Sequence, residues 1–259
     1  MSKYHMPRGM RSATLEEREK FYTKEFNLKK VQEWLALLKG EIKFAVVIGR
    51  HTRIYPEKYR EDADTTIIID DYKGLSDLRN YLTEFLPEAA YYDRNVYENN
   101  HRKGQELAFD LDPENINCPI HGSLADKMKR RQGLSFCKIE LNMVKNQAAS
   151  LYEYLEKWFS NMKIVYSGRG FHIHVFDAEA YALNRKERDQ IAHEVKEKGF
   201  QIDEWVTEGD MRLIRLPYSL HGLVSRIVLP VEKSELARFD PVHDERCIPR
   251  FLSETKLIS

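Results

Sequence analysis

Two aspartates in one short apolar segment are the first residues that point to chemistry. If residues 107–112, LAFDLD, form a strand, Asp110 and Asp112 share one face, and the other face carries Leu107, Phe109 and Leu111. Strands usually avoid aspartate, and two carboxylates on one face repel each other. A divalent cation removes this repulsion, so the pattern favours a Mg²⁺ or Mn²⁺ site with oxygen ligands. The alternative is a strand end that enters solvent before Pro113.

A second segment has the residue types of an anion site. Residues 165–177, VYSGRGFHIHVFD, predict two strands joined by a tight glycine turn. His172 and His174 then lie on one face of the second strand. The glycines allow the backbone to approach a ligand, Arg169 is a bidentate phosphate donor, and Ser167 offers a hydroxyl. The segment therefore suits a triphosphate; the alternative is a hairpin whose histidines are polar-face residues.

A third segment combines basic and hydroxyl side chains. Residues 211–222, MRLIRLPYSLHG, place Arg212 and Arg215 in an apolar strand, with Ser219 and His221 after the proline. The alternative is a sheet that carries two solvated arginines.

A cysteine-histidine segment lies between the first two motifs. Cys118 and His121, in CPIH, have metal-ligand spacing, and Cys137 follows as a candidate third ligand. Zinc is the metal this set favours, although no fourth ligand is evident. The alternative is a buried cysteine beside a surface histidine. His243 and Cys247 lie too far along the chain to be good candidates.

The remaining pattern mixes helices and strands without regular βαβ alternation, which favours an α+β domain with a mainly antiparallel or mixed sheet. Thr14 and Glu17 form a capping box for the first helix. Gly40 is the expected stop of the second helix, and Ser76 and Pro87 are the expected ends of the third. Predicted strands cover residues 43–49, 65–70, 105–112, both arms of 163–177, 211–217 and 225–231; helices cover 14–22, 27–40, 76–87, 144–160 and 184–199.

Composition limits the class of protein. The 259 residues include 41 basic and 41 acidic side chains, so no global charge drives binding to nucleic acid. No apolar run is long enough to span a membrane, and no secretory leader is visible. Three cysteines in such a chain predict a cytoplasmic protein without a disulfide framework. We expect a single domain, 1–259, with two parts at about 1–100 and 101–259.

Taken in order, the three motifs resemble those of the archaeo-eukaryotic primase superfamily. The motifs are a strand D-x-D, then S-G-x-G-x-H, then R-L-I-R-x-P-x-S-L-H-G. The resemblance runs from about Glu106 to Leu229, and the segment EEREKFY near the N-terminus is a weaker match. The superfamily includes DNA primase catalytic subunits and the polymerase domains that work beside end-joining repair ligases. The resemblance implies a primase-polymerase fold whose β-sheet cleft, flanked by helices, resembles an RNA-recognition sheet. It also implies template-directed transfer of NTPs or dNTPs with two metal ions.

The resemblance also implies roles for individual positions. Asp110 and Asp112 match the paired metal ligands. The residues that match contacts to the incoming triphosphate are Ser167, Arg169, His172, Arg215 and His221. His174 has no family counterpart, and we expect it to matter less.

The third metal carboxylate is less definite. Family spacing favours Asp203, in QIDEW, with Asp210 as the runner-up and Glu208 as a weaker third. The sequence departs from the family at Leu223, where archaeal primases often carry a lysine. Arg226 is the candidate substitute for that lysine.

The implied partners are a DNA template-primer or a broken DNA end, an NTP or dNTP, and either a primase large subunit or a DNA ligase; no membrane is implied. Two basic segments are candidates for contacts to the DNA backbone, with a solvated charge run as the alternative for each. They comprise Arg50, His51 and Arg53, and Lys127, Lys129, Arg130 and Arg131. Two rival functions are a non-catalytic nucleic-acid-binding module and a metal-dependent phosphohydrolase.

Overall fold

A computed structural model of the chain describes residues 4–60, 66–69, 74–99 and 101–254. Its strands are β1 Phe44–Val47, β2 Thr66–Ile69, β3 Ala89–Asp93, β4 Asn95–Glu98, β5 His101–Gln105, β6 Leu107–Leu111, β7 Met162–Tyr166, β8 Phe171–Val175, β9 Leu213–Arg215, β10 Leu220–His221, β11 Arg226–Ile227 and β12 Leu229–Val231. Its α-helices are α1 Leu15–Lys20, α2 Leu28–Leu35, α3 Leu75–Phe85, α4 Leu124–Lys129, α5 Lys138–Leu155, α6 Ala178–Ala182, α7 Arg185–Glu197, α8 Glu204–Glu208, α9 Lys233–Leu236 and α10 Arg250–Glu254.

Two four-stranded sheets organise the fold. One has the strand order β2-β1-β3-β9, and the other has the order β12-β7-β8-β6. The described strand pairs are antiparallel in both sheets. The predicted α+β class is therefore confirmed, and the sheets are antiparallel. Of the predicted strand 65–70, only residues 66–69 lie within the described part of the chain.

The first helix begins as its sequence predicts. The Thr14 hydroxyl accepts the Glu17 backbone N–H, and the Glu17 carboxylate accepts the Thr14 N–H. Such a cap satisfies N–H groups that the first helical turn leaves without a partner.

Two other predicted helix ends are wrong. Helix α2 ends at Leu35, and Gly40 lies beyond it with a φ of 71°. Helix α3 begins one residue before Ser76, because Gly74 is its N-terminal flanking residue and Ser76 lies inside the first turn.

Strand β8 lies between β7 and β6, and all five of its side chains are buried. Phe171, Ile173 and Val175 belong to a core that includes the apolar stripe of α5. The alternating side chains point to the opposite face, since successive residues of a strand face opposite sides. On that face the His174 ring packs edge-on against the Trp34 ring, with 5.0 Å between the ring centroids.

A second core packs between the first sheet and its helices. It combines residues from the N-terminal part with residues of late segments, including Ile214 of β9 and Leu220 of β10. The division into two parts at about residue 100 stays a prediction. None of the described helices combines the length and the apolarity that crossing a membrane requires.

Candidate active site

A cleft of about 360 Å³ is lined by residues from both four-stranded sheets. Val47, Tyr91 and Ile214 come from the first sheet, and the D-x-D strand and the glycine turn belong to the second. The predicted site residues that line this cleft are Asp110, Asp112, Ser167, Arg169, His172, Asp203, Arg215 and His221. The structure therefore brings together residues of all three sequence motifs.

The D-x-D carboxylates lie at the end of β6. The Cα of Asp110 is opposite that of His172, and Asp110 Oδ1 lies 3.5 Å from His172 Nε2. The strand ends at Leu111, one residue earlier than predicted, and Asp112 precedes a short 3-10 turn that begins at Pro113. Both carboxylates nevertheless line the cleft.

Asp203 joins this pair through the backbone. It caps helix α8, where its carboxylate accepts the Trp205 backbone N–H at 3.1 Å. Its own N–H donates to the Asp110 carbonyl oxygen at 2.8 Å. Helix α8 therefore begins beside the D-x-D strand.

Burial and mutual repulsion both disfavour the charged form of these carboxyls. Burial raises the pKa of Asp110 well above its usual range, and the charges of Asp112, Asp203 and Glu114 raise it further. Burial also raises the pKa values of Asp112 and Asp203, although Arg169 opposes the shift at Asp112. The buried Asp110 Oδ1 has no hydrogen-bond partner among the described residues. Hard oxygen ligands with these properties fit a Mg²⁺ or Mn²⁺ ion.

The glycine turn approaches these carboxylates closely. A Cβ on Gly170 would lie 2.1 Å from the Leu111 carbonyl oxygen and 2.5 Å from Asp112 Oδ1. A Cβ on Gly168 would lie 2.5 Å from the His221 Cβ, and the φ of Gly168 is 106°. Glycine is therefore required at both positions for the turn to lie against the D-x-D and third motifs.

Arg169 is held in this turn with its side chain largely buried. Its NH2 group lies 3.3 Å from Glu114 Oε2, and the Arg169 Nε has no hydrogen-bond partner among the described residues. Ser167 Oγ accepts the Gly170 backbone N–H at 3.1 Å. Glu114 was not predicted from the sequence, where its only signal was its position two residues after the D-x-D pair.

The cleft histidines are neutral near pH 7, because burial lowers the pKa values of His172 and His221 well below their usual range. Nearby positive charge adds to this at His221, where Arg215 and Arg169 contribute. Arg215 donates to the Tyr91 hydroxyl at 3.1 Å, and its NH1 group has no hydrogen-bond partner in the described part of the chain. The cleft thus combines buried imidazoles with arginine donors that can bind an anionic ligand.

His174 has a different environment from His172. It is fully buried, and its Nδ1 lies 2.6 Å from Glu106 Oε1. The Tyr92 hydroxyl donates to the other Glu106 oxygen at 2.8 Å. His174 therefore belongs to a buried polar network outside the cleft lining, although it shares a strand face with His172.

The other two candidates for the third carboxylate lie elsewhere. Asp210 and Glu208 both form ion pairs with Arg185, which is exposed, and neither lines the cleft. The geometry favours Asp203.

Arg226 does not substitute for the family lysine, so that prediction is wrong. Its guanidinium is buried and donates to the carbonyl oxygens of Pro241, Gly9 and Ser225. Leu223, which occupies the position of that lysine, lines the cleft.

The cysteine-histidine segment forms a compact cluster. Cys118 Sγ lies 3.4 Å from His121 Nδ1 and 4.0 Å from Cys137 Sγ. Glu140 adds a carboxylate, and all four ligand atoms lie within 4.8 Å of one another. Two thiols, one imidazole and one carboxylate form a donor set that fits a tetrahedral metal. The signal for Glu140 was its place three residues after Cys137, where it closes a capping box at the start of α5.

Lys127 is not available to DNA, contrary to the prediction for its basic segment. Its side chain is buried, and its ammonium lies 2.7 Å from Glu140 Oε1. Lys129, from the same segment, is exposed.

Comparisons with known proteins agree with this fold and these motifs. The sequence profile of the DNA primase small subunit matches residues 109–198. An "Uncharacterized DNA primase small subunit-like protein" from Archaeoglobus fulgidus is 48% identical, and the alignment covers 96% of this chain and 94% of the relative. The DNA primase small subunit PriS of Pyrococcus furiosus is 30% identical over 70% of this chain, but the match covers 48% of that relative.

A solved structure supports the same assignment at the level of the fold. The polymerase domain of Mycobacterium tuberculosis Ligase D, in complex with DNA, matches with a TM-score of 0.55 and 14% identity. The match covers 94% of this chain and 89% of that domain. The fold is that of a primase-polymerase domain. The chain belongs to the archaeo-eukaryotic primase superfamily. Its relatives within the superfamily include DNA primase small subunits, which are nucleotidyltransferases, and a small subunit-like protein.

Proposed function

We propose that the protein is a template-directed nucleotidyltransferase, a primase-polymerase that adds NTPs or dNTPs to a nucleic acid 3′ end in the described cleft. The observation that carries this proposal is the meeting of three carboxylates with a basic glycine turn in one cleft. Carboxylates alone would suit many metal sites, and arginines alone would suit many anion sites. Their combination suits the transfer of a phosphoryl group from a nucleoside triphosphate.

Asp110, Asp112 and Asp203 are the residues that would hold Mg²⁺ or Mn²⁺. When bound, such ions neutralise charge that develops on the phosphates and favour ionisation of the attacking hydroxyl. The carboxylates would hold this charge beside the glycine turn, since Gly170 packs directly against Asp112.

The residues that would bind the anionic triphosphate belong to the glycine turn and the third motif. Arg169 would exchange its contact with Glu114 for a phosphate, and Arg215 would use the NH1 group that lacks a partner among the described residues. Ser167, His172 and His221 would add neutral hydrogen-bonding groups. Ser167, Arg169, His172 and His221 are buried. Their contacts to an anion are therefore stronger than the same contacts in water.

We further propose that Cys118, His121, Cys137 and Glu140 bind a structural zinc ion. The cluster lies outside the cleft lining, so its effect on activity would come through the stability of the α4–α5 region. Lys127 contacts Glu140 within this cluster, and a metal would compete for the same carboxylate.

The setting we propose is primer synthesis or gap filling during end joining, on a template-primer or a broken DNA end. A primase large subunit is the partner for the first setting, and a DNA ligase is the partner for the second. The two settings are distinguished by comparing the products formed on gapped, 5′-phosphorylated DNA with those formed on unprimed single strands. Extension confined to gapped DNA indicates repair, whereas products on unprimed strands indicate priming.

The test of the proposed function is primer extension with labelled nucleotide and Mn²⁺ or Mg²⁺. We expect extension by the wild-type protein and loss by at least about a hundredfold in Asp110→Ala or Asp112→Ala, because phosphoryl transfer depends strongly on neutralisation of the developing charge by metal. Asp189→Ala, which removes a partly exposed carboxylate outside the cleft, is the matched control.

Three results would contradict parts of this proposal. Near wild-type extension by Asp110→Ala would remove the metal assignment. Release of phosphate from nucleotide without extension would favour a phosphohydrolase. DNA binding without either reaction would favour a non-catalytic nucleic-acid-binding module.

A further inference from the structure

Residues 48–53, the loop after β1, are held by two buried charges of opposite sign. Arg18, from helix α1, is fully buried; its NH1 group donates to the Ile48 carbonyl oxygen at 3.3 Å, and its NH2 group donates to the Arg53 carbonyl oxygen. One guanidinium therefore connects the two ends of the loop.

The middle of the same loop is held by Glu88, whose side chain is also largely buried. The Glu88 Oε2 atom accepts the backbone N–H groups of His51 and Thr52, each at 2.8 Å. It also accepts the Thr52 hydroxyl at 2.9 Å. The loop is thus fixed at both ends and at its centre.

Burying two ionised groups costs free energy unless hydrogen bonds compensate for the lost water. Arg18 and Glu88 form these compensating bonds with the backbone of this loop. The loop is also compact, because a Cβ on Gly49 would lie 2.9 Å from the Ile54 side chain and 3.0 Å from the Thr52 carbonyl oxygen. A backbone fixed in this way loses little conformational entropy on binding, so the loss is confined to the side chain that makes the contact.

Arg50 is the side chain that this arrangement presents to the cleft. It is exposed, and it lines the same cleft as the carboxylates and the glycine turn. Among the described residues, its guanidinium has no hydrogen bond or ion pair. Arg53, which the sequence groups with Arg50 as a candidate DNA contact, is exposed in the same loop but does not line the cleft, so it takes no part in the proposed contact.

We propose that residues 48–53 are a phosphate-binding loop, in which Arg18 and Glu88 position the backbone and Arg50 contacts a phosphate group. The inference rests on the proposed function of the cleft, which supplies two sources of phosphate, the incoming nucleotide and the nucleic acid backbone. Arginine suits this role because its planar guanidinium can donate two parallel hydrogen bonds to phosphate oxygens.

The test compares Arg50→Ala with Arg53→Ala, which removes the same charge from the same loop. Equilibrium binding is measured for two probes, ATP in the presence of Mn²⁺ and a duplex DNA with a recessed 3′ end. Loss of a charge-assisted contact to phosphate corresponds to roughly a ten- to hundredfold loss of affinity. We expect this loss for Arg50→Ala with one probe, which identifies the source, and less than about a threefold change for Arg53→Ala. A DNA contact would also reduce the slope of log K against log salt concentration by about one.

Glu88→Gln tests the positioning role. Alone it should weaken binding of the same probe, and in the Arg50→Ala background it should add little, because both changes act through one contact. Thermal unfolding of each variant measures any loss of folded protein. Additive effects on binding would overturn the positioning role of Glu88.

Equal affinities of Arg50→Ala and Arg53→Ala for both probes would overturn the loop proposal. Wild-type protein that binds a probe but does not extend a primer would remove the proposed function alone. Wild-type protein that binds neither probe would overturn both.

Discussion

The backbone N–H of Asp203 donates a hydrogen bond of 2.8 Å to the carbonyl oxygen of Asp110. This bond joins the start of helix α8 to the D-x-D strand, and it places a third carboxylate beside the first two. Asp210, seven positions later, instead pairs with Arg185 outside the cleft. Substitutions of Asp203 and Asp210 therefore compare a carboxylate inside the cleft with one outside it.

Asp203→Asn should lower kcat for primer extension by at least about a hundredfold, as the D-x-D substitutions do, because it removes one carboxylate from the proposed metal site. Asparagine caps helices about as well as aspartate, so α8 should keep its start. Asp210→Asn should stay within about threefold of wild type. Extension rates at saturating nucleotide and DNA make the comparison. The reverse order of effects would assign the metal site to Asp210 and overturn the assignment of Asp203.

Arg169→Ala and His172→Ala should each raise the KM for nucleotide by roughly ten- to a hundredfold, because charge-assisted hydrogen bonds to phosphate are worth about 1.5–3 kcal/mol. The measurement is steady-state extension with nucleotide varied at saturating DNA. Arg212→Ala is the control, since Arg212 pairs with Asp93 and does not line the cleft. An unchanged KM and kcat with weaker DNA binding in Arg169→Ala would mean that the turn contacts the DNA backbone.

The stabilising effect of Mn²⁺ should depend on pH. Burial and the neighbouring carboxylates raise the pKa of Asp110 well above its usual range, so protons compete with metal at higher pH than for an ordinary aspartate. When they are ionised, the carboxylates repel one another, and metal binding would both relieve this repulsion and stabilise the folded state. As the pH falls, protonation removes both the repulsion and the metal ligands.

The increase in Tm on adding Mn²⁺ should therefore be larger at pH 8 than at pH 5. In Asp110→Asn the increase at pH 8 should be much smaller, because the site loses one charge. An increase of the same size at both pH values in the wild-type protein would show that the stabilising metal binds elsewhere.

Purified protein should contain about one zinc per chain if the cysteine-histidine cluster binds metal as proposed. Cys118→Ser should lose this zinc and lower the Tm, because the free energy of metal binding contributes to folding. Cys247→Ser is the control for metal content, since Cys247 is buried beside the carbonyl oxygens of Pro241 and Asp244, outside the cluster. Metal-free protein that melts at the wild-type temperature would contradict a structural zinc site.

The sequence alone determined those features that depend on neighbouring residues. The alternation of side chains in LAFDLD and FHIHVF identified two strands, and the glycines of SGRG identified the turn before the second strand. These signals are readable because the two-residue period of a strand and the freedom of glycine are local properties. The same local signals, matched to a family, selected the aspartates proposed to bind metal and the glycine-turn residues proposed to bind nucleotide.

The tertiary structure decided which distant residues meet. Local pattern could not separate Asp203 from Asp210, because the choice depends on a backbone bond between α8 and β6. Nor could it show that Glu140 joins two cysteines and a histidine, since that requires α5 to begin beside Cys118.

Burial was the other property that only the tertiary structure fixed. In the sequence, nothing distinguishes Arg226 and Lys127 from other basic residues. In the structure both are buried, Arg226 donating to the Pro241 carbonyl oxygen and Lys127 pairing with Glu140. Arg18 and Glu88 are buried in the same way, and together they fix the loop that presents Arg50. A charged side chain that already pairs with groups inside the protein is not free to contact a ligand. Those internal partners come from segments far apart in the chain, so the sequence does not reveal them.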